Sequence, residues 1–219
     1  MNTELIGIVV MFVGTLLLAI PLGKYIAKVY AGERVLGDKV FNPIEKLFFK
    51  ISRIDAAREM TWKQHLKTLL TINLIWFLWA MFCLTNQGWL PLNPDNITSQ
   101  SPDLAFNTAI SFLVNCNLQH YSGETGASYF TQIYALMFLQ FVSAGTGMAT
   151  AAVVFNALKE RTTDKLGNFY VYFLKSCTRI LLPLCLLMAT IQIFEGSPMT
   201  FKYKDTITTI QGDTQYVSR

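Results

Sequence analysis

Long apolar blocks separated by polar stretches dominate the chain, in place of the short periodic patterns of soluble helices and strands. As a helix, a block of about 19 residues would be close to the ~30 Å thickness of the hydrocarbon core of a bilayer. The blocks therefore predict an all-α membrane protein with four transmembrane helices. These helices are expected at 5–23, 68–86, 129–158 and 171–194.

The first block is also compatible with a signal peptide, which would be removed from the mature protein. A signal peptide begins with basic residues, whereas Glu4 precedes this block and no Lys or Arg does. No clear small-residue cleavage motif follows it either. A retained transmembrane helix at 1–25 is therefore the favoured interpretation.

Charged residues are scarce and unevenly placed. They make up 15% of the chain, and no Lys or Arg lies between Lys67 and Lys159. A typical soluble protein has about 25% charged residues, and a soluble surface of such a length would need them. A nucleic-acid-binding surface would need exposed polar residues around its basic clusters, so nucleic acid is not an expected partner.

The basic residues also predict how the chain is oriented. Ten of the 18 Lys and Arg residues lie in 24–67 and five more in 159–179, whereas 87–128 contains none. The positive-inside rule then places the loops 26–67 and 159–170 in the cytoplasm. The segments expected outside the cytoplasm are the N-terminus, 87–128 and 195–219.

Two further features near these blocks have local interpretations. Lys175 and Arg179 lie early in the fourth block, where they are expected to snorkel towards water. In 26–67, three apolar residues are compatible with a short interfacial helix: Phe48, Phe49 and Ile51.

A shorter helix is predicted between the second and third blocks. Ser101 suits its N-cap, Pro102 needs no N–H at the first helical position, and Asp103 meets the positive end of the helix dipole. The helix would have about twelve residues and be ~18 Å long, too short to cross a bilayer. We therefore expect a re-entrant pore helix and, after it, an irregular polar filter loop at 114–124. An ordinary extracytoplasmic loop with a short surface helix is the alternative.

The direction of this re-entrant helix favours a cation site. Irregular backbone at membrane depth survives only inside protein or beside water, so the loop is expected to line a pore. The helix enters from outside, so its negative end points to the membrane centre. Backbone carbonyls can replace the hydration shell of a monovalent cation. The predicted carbonyl ligands are Val114, Asn115, Cys116 and Asn117.

The residues after these ligands are expected to support the loop. Gln119 is a neutral amide that can orient loop carbonyls, and Glu124 can concentrate cations at the mouth. The filter support and mouth comprise Gln119, Ser122, Gly123 and Glu124. A membrane enzyme that uses this outer segment is a further alternative, but its acid–base groups have no recognisable paired spacing: Asp103, His120 and Glu124.

Other chemistry is weakly represented in the sequence. None of the four cysteines forms a CxxC pair, and apolar packing explains three of them. His65 and His120 have no metal-ligand spacing. Neither a GxxxxGKS/T phosphate-binding motif nor a DKTGT phosphorylation motif is present, so no catalytic residue is assigned.

Several longer motifs follow one another along the chain. The central one is Asp103-Leu-Ala-Phe-Asn-Thr-Ala-Ile-Ser-Phe, followed by Asn-x-Asn-x-Gln and Tyr121-Ser-Gly-Glu124. The others are Glu59-Met-Thr-Trp-Lys-Gln-His-Leu66, Pro91-Leu-Asn-Pro94, Ser143-Ala-Gly-Thr-Gly147 and Leu166-Gly-Asn-Phe169. The small residues of the motif at 143–147 allow close contact between helices. Together they cover nearly all of the chain and closely resemble the A subunit of the Kdp potassium-transporting ATPase family.

The resemblance implies a potassium-binding, channel-like subunit that is not an enzyme by itself. Potassium would pass the carbonyl-lined filter to a P-type ATPase subunit, which binds ATP and Mg²⁺ and hydrolyses the ATP. A small C subunit and a tiny F subunit would complete the complex in the bacterial inner membrane. This chain would need no cofactor, and K⁺, bound by main-chain carbonyls, would be its metal ion.

The resemblance also implies a fold of four helix–pore-helix–helix repeats in one chain. Here 68–158 would be the first repeat, 171–194 the first helix of the second, and 195–219 a truncated tail. The family chain is more than twice as long, and the Gly-Thr-Asn-Gly-Gly-Gly of its second pore loop is absent here. A single-repeat channel that assembles as a tetramer is the alternative.

Three filter positions depart from the family pattern. The family commonly has Thr at the positions of Val114 and Cys116, and Trp at that of Leu118. A loop that binds an ion through main-chain carbonyls tolerates such changes more readily than one that uses hydroxyls. The cation site is therefore still expected here.

Overall fold

The computed structural model describes residues 3–35, 37–159, 162–197 and 200–217. Seven helices and one antiparallel hairpin make up its regular elements in these residues. The helices are α1 (Thr3–Ala31), α2 (Asp38–Ser52), α3 (Trp62–Asn86), α4 (Pro102–Leu113), α5 (Gly123–Gly126), α6 (Tyr129–Lys159) and α7 (Phe169–Phe194). The strands are β1 (Asp205–Thr208) and β2 (Thr214–Val217), with Asp205 opposite Val217.

Four of the helices in the described residues are long and apolar enough to cross a membrane. They are α1, α3, α6 and α7, with 29, 25, 31 and 26 residues. Each has a length of at least ~37 Å, more than the ~30 Å hydrocarbon core requires. The predicted fold class, an all-α membrane protein with four transmembrane helices, is confirmed, and the short hairpin near the end of the chain is an addition to it.

Helix α4 fills the space between α3 and α6 and forms the main apolar core. Its small residues Ala105 and Ala109 are fully buried and let the neighbouring helices approach closely, while Phe112 is 2% exposed. Burying a phenylalanine side chain stabilises a fold by roughly 1.5–3 kcal/mol. The cluster consists of Ala80, Leu84, Ala105, Ala109, Phe112, Ala127, Leu136, Leu139 and Val142. A helix of only 12 residues is thus held firmly by its neighbours.

Two of the long helices each contain a wide π-helical turn. These turns are Gln132–Met137 in α6 and Ser176–Leu181 in α7. Such turns are rare and are frequent at functional sites. The helices α6 and α7 meet at Gly145, where an added Cβ atom would lie 2.6 Å from Cys177 Sγ. The close helix contact expected at the small residues of this segment is therefore present at Gly145.

Arg179 attaches helix α2 to the transmembrane bundle. Its guanidinium is buried and bonds to Glu45 Oε1 at 2.9 Å and Oε2 at 3.0 Å, to Asn42 Oδ1 at 2.6 Å, and to Asp38 Oδ1. Arg179 was expected to snorkel towards water; that expectation is wrong, because two carboxylates from α2 neutralise the arginine inside the protein. Lys175 is half-buried and donates to the Val29 carbonyl at 3.1 Å.

The loops before α3 and α7 are joined into one unit. Met60 N–H donates to the Gly167 carbonyl at 2.7 Å, and Leu166 N–H donates back to the Met60 carbonyl at 3.0 Å. The Asn168 amide donates to the carbonyls of Asp55 and Arg58, while its oxygen caps α7. Two motifs that are about a hundred residues apart in the chain therefore form a single contact.

Candidate functional site: the loop after the half-length helix

Helix α4 begins as the sequence predicts, except for one side chain. Pro102 occupies the first turn and Ser101 has the extended backbone of an N-cap, but the Ser101 hydroxyl makes no capping hydrogen bond to the helix. The Ser101 hydroxyl and the N–H groups of Asp103 and Leu104 instead lower the pKa of the Asp103 carboxyl. Asp103 therefore places a carboxylate at the positive end of the helix dipole, which stabilises its negative charge.

At the other end of α4, Ser111 collects the N–H groups of the following loop. Its carbonyl accepts from Cys116 N–H at 2.9 Å and from Asn117 N–H at 3.3 Å. Its hydroxyl accepts from Leu118 N–H at 2.6 Å. Three consecutive N–H groups are thus directed to one residue, and the loop curls tightly around the end of the helix.

Two asparagines give the loop its shape. Asn115 and Asn117 have positive φ angles of 59° and 55°, and Asn tolerates this left-handed region better than other residues with a Cβ atom. With the N–H groups turned towards Ser111, the carbonyls of the expected ligands accept no hydrogen bond from any described residue. These ligands are Val114, Asn115, Cys116 and Asn117, and all four residues are exposed. The backbone therefore presents a row of carbonyl groups without protein partners on an open surface.

Gln87, which follows α3, anchors the return loop that runs from Gln119 to Ser128. Its side chain is fully buried. The amide nitrogen donates to the carbonyls of Thr98 at 2.8 Å and Gly126 at 2.9 Å, and the amide oxygen accepts from Ser128 N–H at 3.1 Å. One glutamine thus joins α3, the segment before α4 and the start of α6.

Two more amides complete this anchorage. Gln100 donates a second hydrogen bond to the Gly126 carbonyl at 3.0 Å. Gln132, in the π-helical turn of α6, donates to the Ala127 carbonyl at 3.0 Å and to the Gly123 carbonyl at 3.4 Å. The return loop is consequently fixed by two buried amides and one half-buried amide rather than by apolar packing alone.

Gln119 lies in the wall of a cavity behind the loop. The cavity has a volume of about 340 Å³ and also contacts Phe112, Tyr121, Gln132 and Gln140. The Tyr121 ring packs so closely on Gly126 that an added Cβ atom would be 2.6 Å away. Gln119 therefore lines this cavity together with the end of α4 and the return loop.

The expected mouth residues lie on the outer turn α5. Glu124 is exposed and accepts a hydrogen bond of 2.5 Å from the Ser122 hydroxyl. The Ser122 hydroxyl is the main cause of the lowered pKa of the Glu124 carboxyl. Gly123 has no neighbour within 4 Å of an added Cβ atom, and its carbonyl accepts from Gln132.

The sequence alone did not single out Ser111, Gln87 or Gln132. The signal for Ser111 is local, since a serine in the last turn of a helix before Asn-x-Asn can accept from the loop N–H groups. Gln87 acts across about 40 residues, to Gly126 and Ser128, and a single sequence carries no signal for that. Gln132 bonds to residues only five and nine positions away, but its location in a π-helical turn was not expected. Within the described ranges, no three His, Cys, Asp or Glu residues are grouped as metal ligands.

The fold and this loop define a class of protein: a multi-spanning helical membrane protein with a half-length helix that ends in a row of exposed carbonyl groups. The family model described as the potassium-transporting ATPase A subunit matches residues 9–219. The chain belongs to this family.

Individual relatives agree with the family match. Proteins described as the potassium-transporting ATPase potassium-binding subunit are 67% identical in Flavobacterium johnsoniae and 52% identical in Phocaeicola vulgatus, each over all of this chain. One from Caldanaerobacter subterraneus is 38% identical over 99% of it. The chain spans 38% of the length of each of these relatives.

Proposed function

We propose that this chain contributes the potassium-binding, channel-like part of an ATP-driven potassium importer. The observation that carries the proposal is the loop from Val114 to Asn117. Its N–H groups all donate to carbonyls in the last turn of α4, and its own carbonyls accept no hydrogen bond from a described residue. Carbonyl groups in this state are suited to replace the hydration shell of K⁺. The relatives are described as potassium-binding subunits, which names the same ion.

The electrostatics of the site support a cation. The carboxyl end of α4, with its partial negative charge, adjoins the loop, and Glu124 adds a full negative charge farther along the chain. No Lys or Arg lies between Lys67 and Lys159, so no basic side chain from that part of the chain competes with the ion. In this proposal Glu124 concentrates K⁺ at the mouth and Gln119 orients the loop.

The exposed loop can supply only part of an ion's coordination shell. Because the relatives are much longer than this chain, the other ligands are proposed to come from segments equivalent to the rest of their length. The repeat at 68–158 would then give one quarter of a filter. A tetramer of this chain would also surround an ion with four such loops, and crosslinking in mild detergent would reveal it.

The remaining assignments follow from the family and stay proposals. ATP, with Mg²⁺, would be hydrolysed by a separate P-type ATPase subunit, and a small C subunit and a tiny F subunit would complete the complex. The bacterial inner membrane is the proposed location. The filter loop and the N-terminus would be extracytoplasmic, and the basic loops 26–67 and 159–170 cytoplasmic.

Replacing Ser111 by alanine tests the proposal. The Ser111→Ala variant of the complete gene product that contains this chain loses the acceptor of Leu118 N–H. We expect its half-saturating K⁺ concentration for uptake to rise several-fold, because one of three N–H groups that shape the loop is released.

The control is Thr190→Val, which removes an exposed hydroxyl on α7 that bonds only within its own helix. It should leave K⁺ uptake unchanged. Equal K⁺ dependence in Ser111→Ala and the unmodified protein, at equal protein abundance, would contradict the proposed role of the loop.

A further inference from the structure

Helix α2 has a bundle-facing side and an opposite side of different chemistry. Asp38, Asn42 and Glu45 face the bundle and bond to Arg179. The opposite side carries large apolar residues, each at least 40% exposed: Val40, Ile44, Leu47, Phe48 and Ile51. These five residues are called the α2 stripe below. The helix turns its charged side towards protein and its apolar side away, the reverse of a helix on a soluble protein.

Three lysines form a separate side of α2. Lys39, Lys46 and Lys50 follow one another at spacings of seven and four residues, so they lie along one side of the helix, between its other two faces. All three are exposed, and none forms a salt bridge with another described residue. The lysines and the α2 stripe therefore border each other.

The position of Arg179 along α7 fixes the depth of α2. Arg179 lies ten residues from Phe169, about 15 Å along a helix whose 26 residues span about 39 Å. A helix that crosses a ~30 Å core can extend only about 9 Å beyond it in total. The Cα atom of Arg179 therefore lies at least ~6 Å inside the core, and a helix bonded to its side chain lies within the cytoplasmic leaflet and not out in the water.

We propose that α2 is a binding site for anionic phospholipid at the membrane surface. The α2 stripe inserts among the upper parts of the acyl chains, and the lysines bind the phosphate groups of the headgroups. An amphipathic helix with a basic flank combines both contributions. The Arg179 bonds attach this surface helix to the transmembrane bundle. The inference uses the proposed membrane orientation and is independent of potassium binding.

The first test compares lipid selectivity between charge-matched variants. The complete gene product is reconstituted in phosphatidylcholine bilayers, and spin-labelled phosphatidylglycerol is compared with spin-labelled phosphatidylcholine by electron paramagnetic resonance. The triple variant K39Q/K46Q/K50Q should lose selectivity for phosphatidylglycerol, by about fivefold for each lysine that contacts a headgroup. The control R58Q/K63Q/K165Q removes three exposed charges from the start of α3 and the neighbouring loops and should retain the selectivity.

Two results of this test would overturn the proposal. An equal loss in both triple variants would show that lipid responds to total charge and not to α2. Displacement of the labelled phosphatidylglycerol by inorganic phosphate alone would identify a free phosphate site instead of a lipid site.

A second test asks what covers the α2 stripe. Single nitroxide labels are placed at Leu47→Cys, Ile51→Cys and Lys46→Cys in proteoliposomes, each in a background that lacks the exposed Cys116 and Cys185. Labels at positions 47 and 51 should collide with oxygen, which dissolves in the membrane, and the label at 46 with a water-soluble nickel complex. Labels at 47 and 51 shielded from both reagents would mean that a protein partner covers the stripe, and the lipid proposal would be wrong.

Discussion

Gln87→Leu is the substitution that should most directly uncouple the return loop from the membrane helices. Leucine has a similar size, so the change removes hydrogen bonds without opening a large cavity. The lost bonds are those to the carbonyls of Thr98 and Gly126 and from Ser128 N–H. The Gly126 carbonyl keeps its bond from Gln100, and Thr98 is exposed and can bond to water.

The Ser128 N–H group determines most of the effect. Ser128 is 1% exposed, and its N–H has no other acceptor among the described residues. An unsatisfied buried donor costs about 1–3 kcal/mol, and losing the two donated bonds adds ~1 kcal/mol. We therefore expect Gln87→Leu to lower the free energy of unfolding by roughly 2–4 kcal/mol.

The assay compares thermal unfolding and K⁺ dependence in the complete gene product. Gln192→Leu, at an exposed position of α7, is the matched control and should change stability by less than about 0.5 kcal/mol. In Gln87→Leu, the melting temperature should fall and the half-saturating K⁺ concentration for uptake should rise. Unchanged stability would refute the hydrogen-bond argument, and lower stability with unchanged K⁺ dependence would refute the link between the return loop and the ion site.

Three further predictions concern positions elsewhere in the structure. Gln119→Arg places a fixed positive charge beside the filter loop and should weaken K⁺ binding; an unchanged affinity, measured by calorimetry, would show that Gln119 is remote from the ion. Gly145→Ala should lower the melting temperature, because the new Cβ atom meets Cys177 Sγ at 2.6 Å, whereas Gly147→Ala has free space and should not; equal melting temperatures would contradict the close helix contact. The pKa of Asp103 is lowered in the fold, so the ionised carboxylate stabilises the protein above its ordinary pKa, and this stabilisation is lost as the pH falls through the lowered pKa. Asp103→Asn should therefore lower the melting temperature at neutral pH. A difference in melting temperature between the variant and the unmodified protein that persists in strong acid would contradict this sign.

Local sequence signals predicted the membrane helices and the short helix well. Apolar blocks are long and continuous, and burial in lipid requires helices there, so composition alone identifies α1, α3, α6 and α7. The start of α4 depends on Pro102 and Asp103, which act within one turn. For the same reason its observed end, Leu113, agrees with the expected length of about twelve residues.

Contacts between distant segments were not predictable from the sequence. Arg179 looked like a residue that snorkels, because nothing near it in the chain could neutralise it. Its partner Glu45 is 134 residues away. Gln87 likewise reaches Ser128 across 41 residues. A single sequence shows which residues are polar, but it does not show which other polar group each one meets after folding.

Positive φ angles occur at every second residue of the filter loop, and this alternation divides its residues into two kinds. Asn115 and Asn117 set the handedness of the chain, and a substitution there would have to preserve a left-handed backbone. Val114, Cys116 and Leu118 contribute exposed side chains and are free of that requirement. The shape of the loop thus depends on the left-handed main chain at two positions, and every second side chain can change without loss of the carbonyl row.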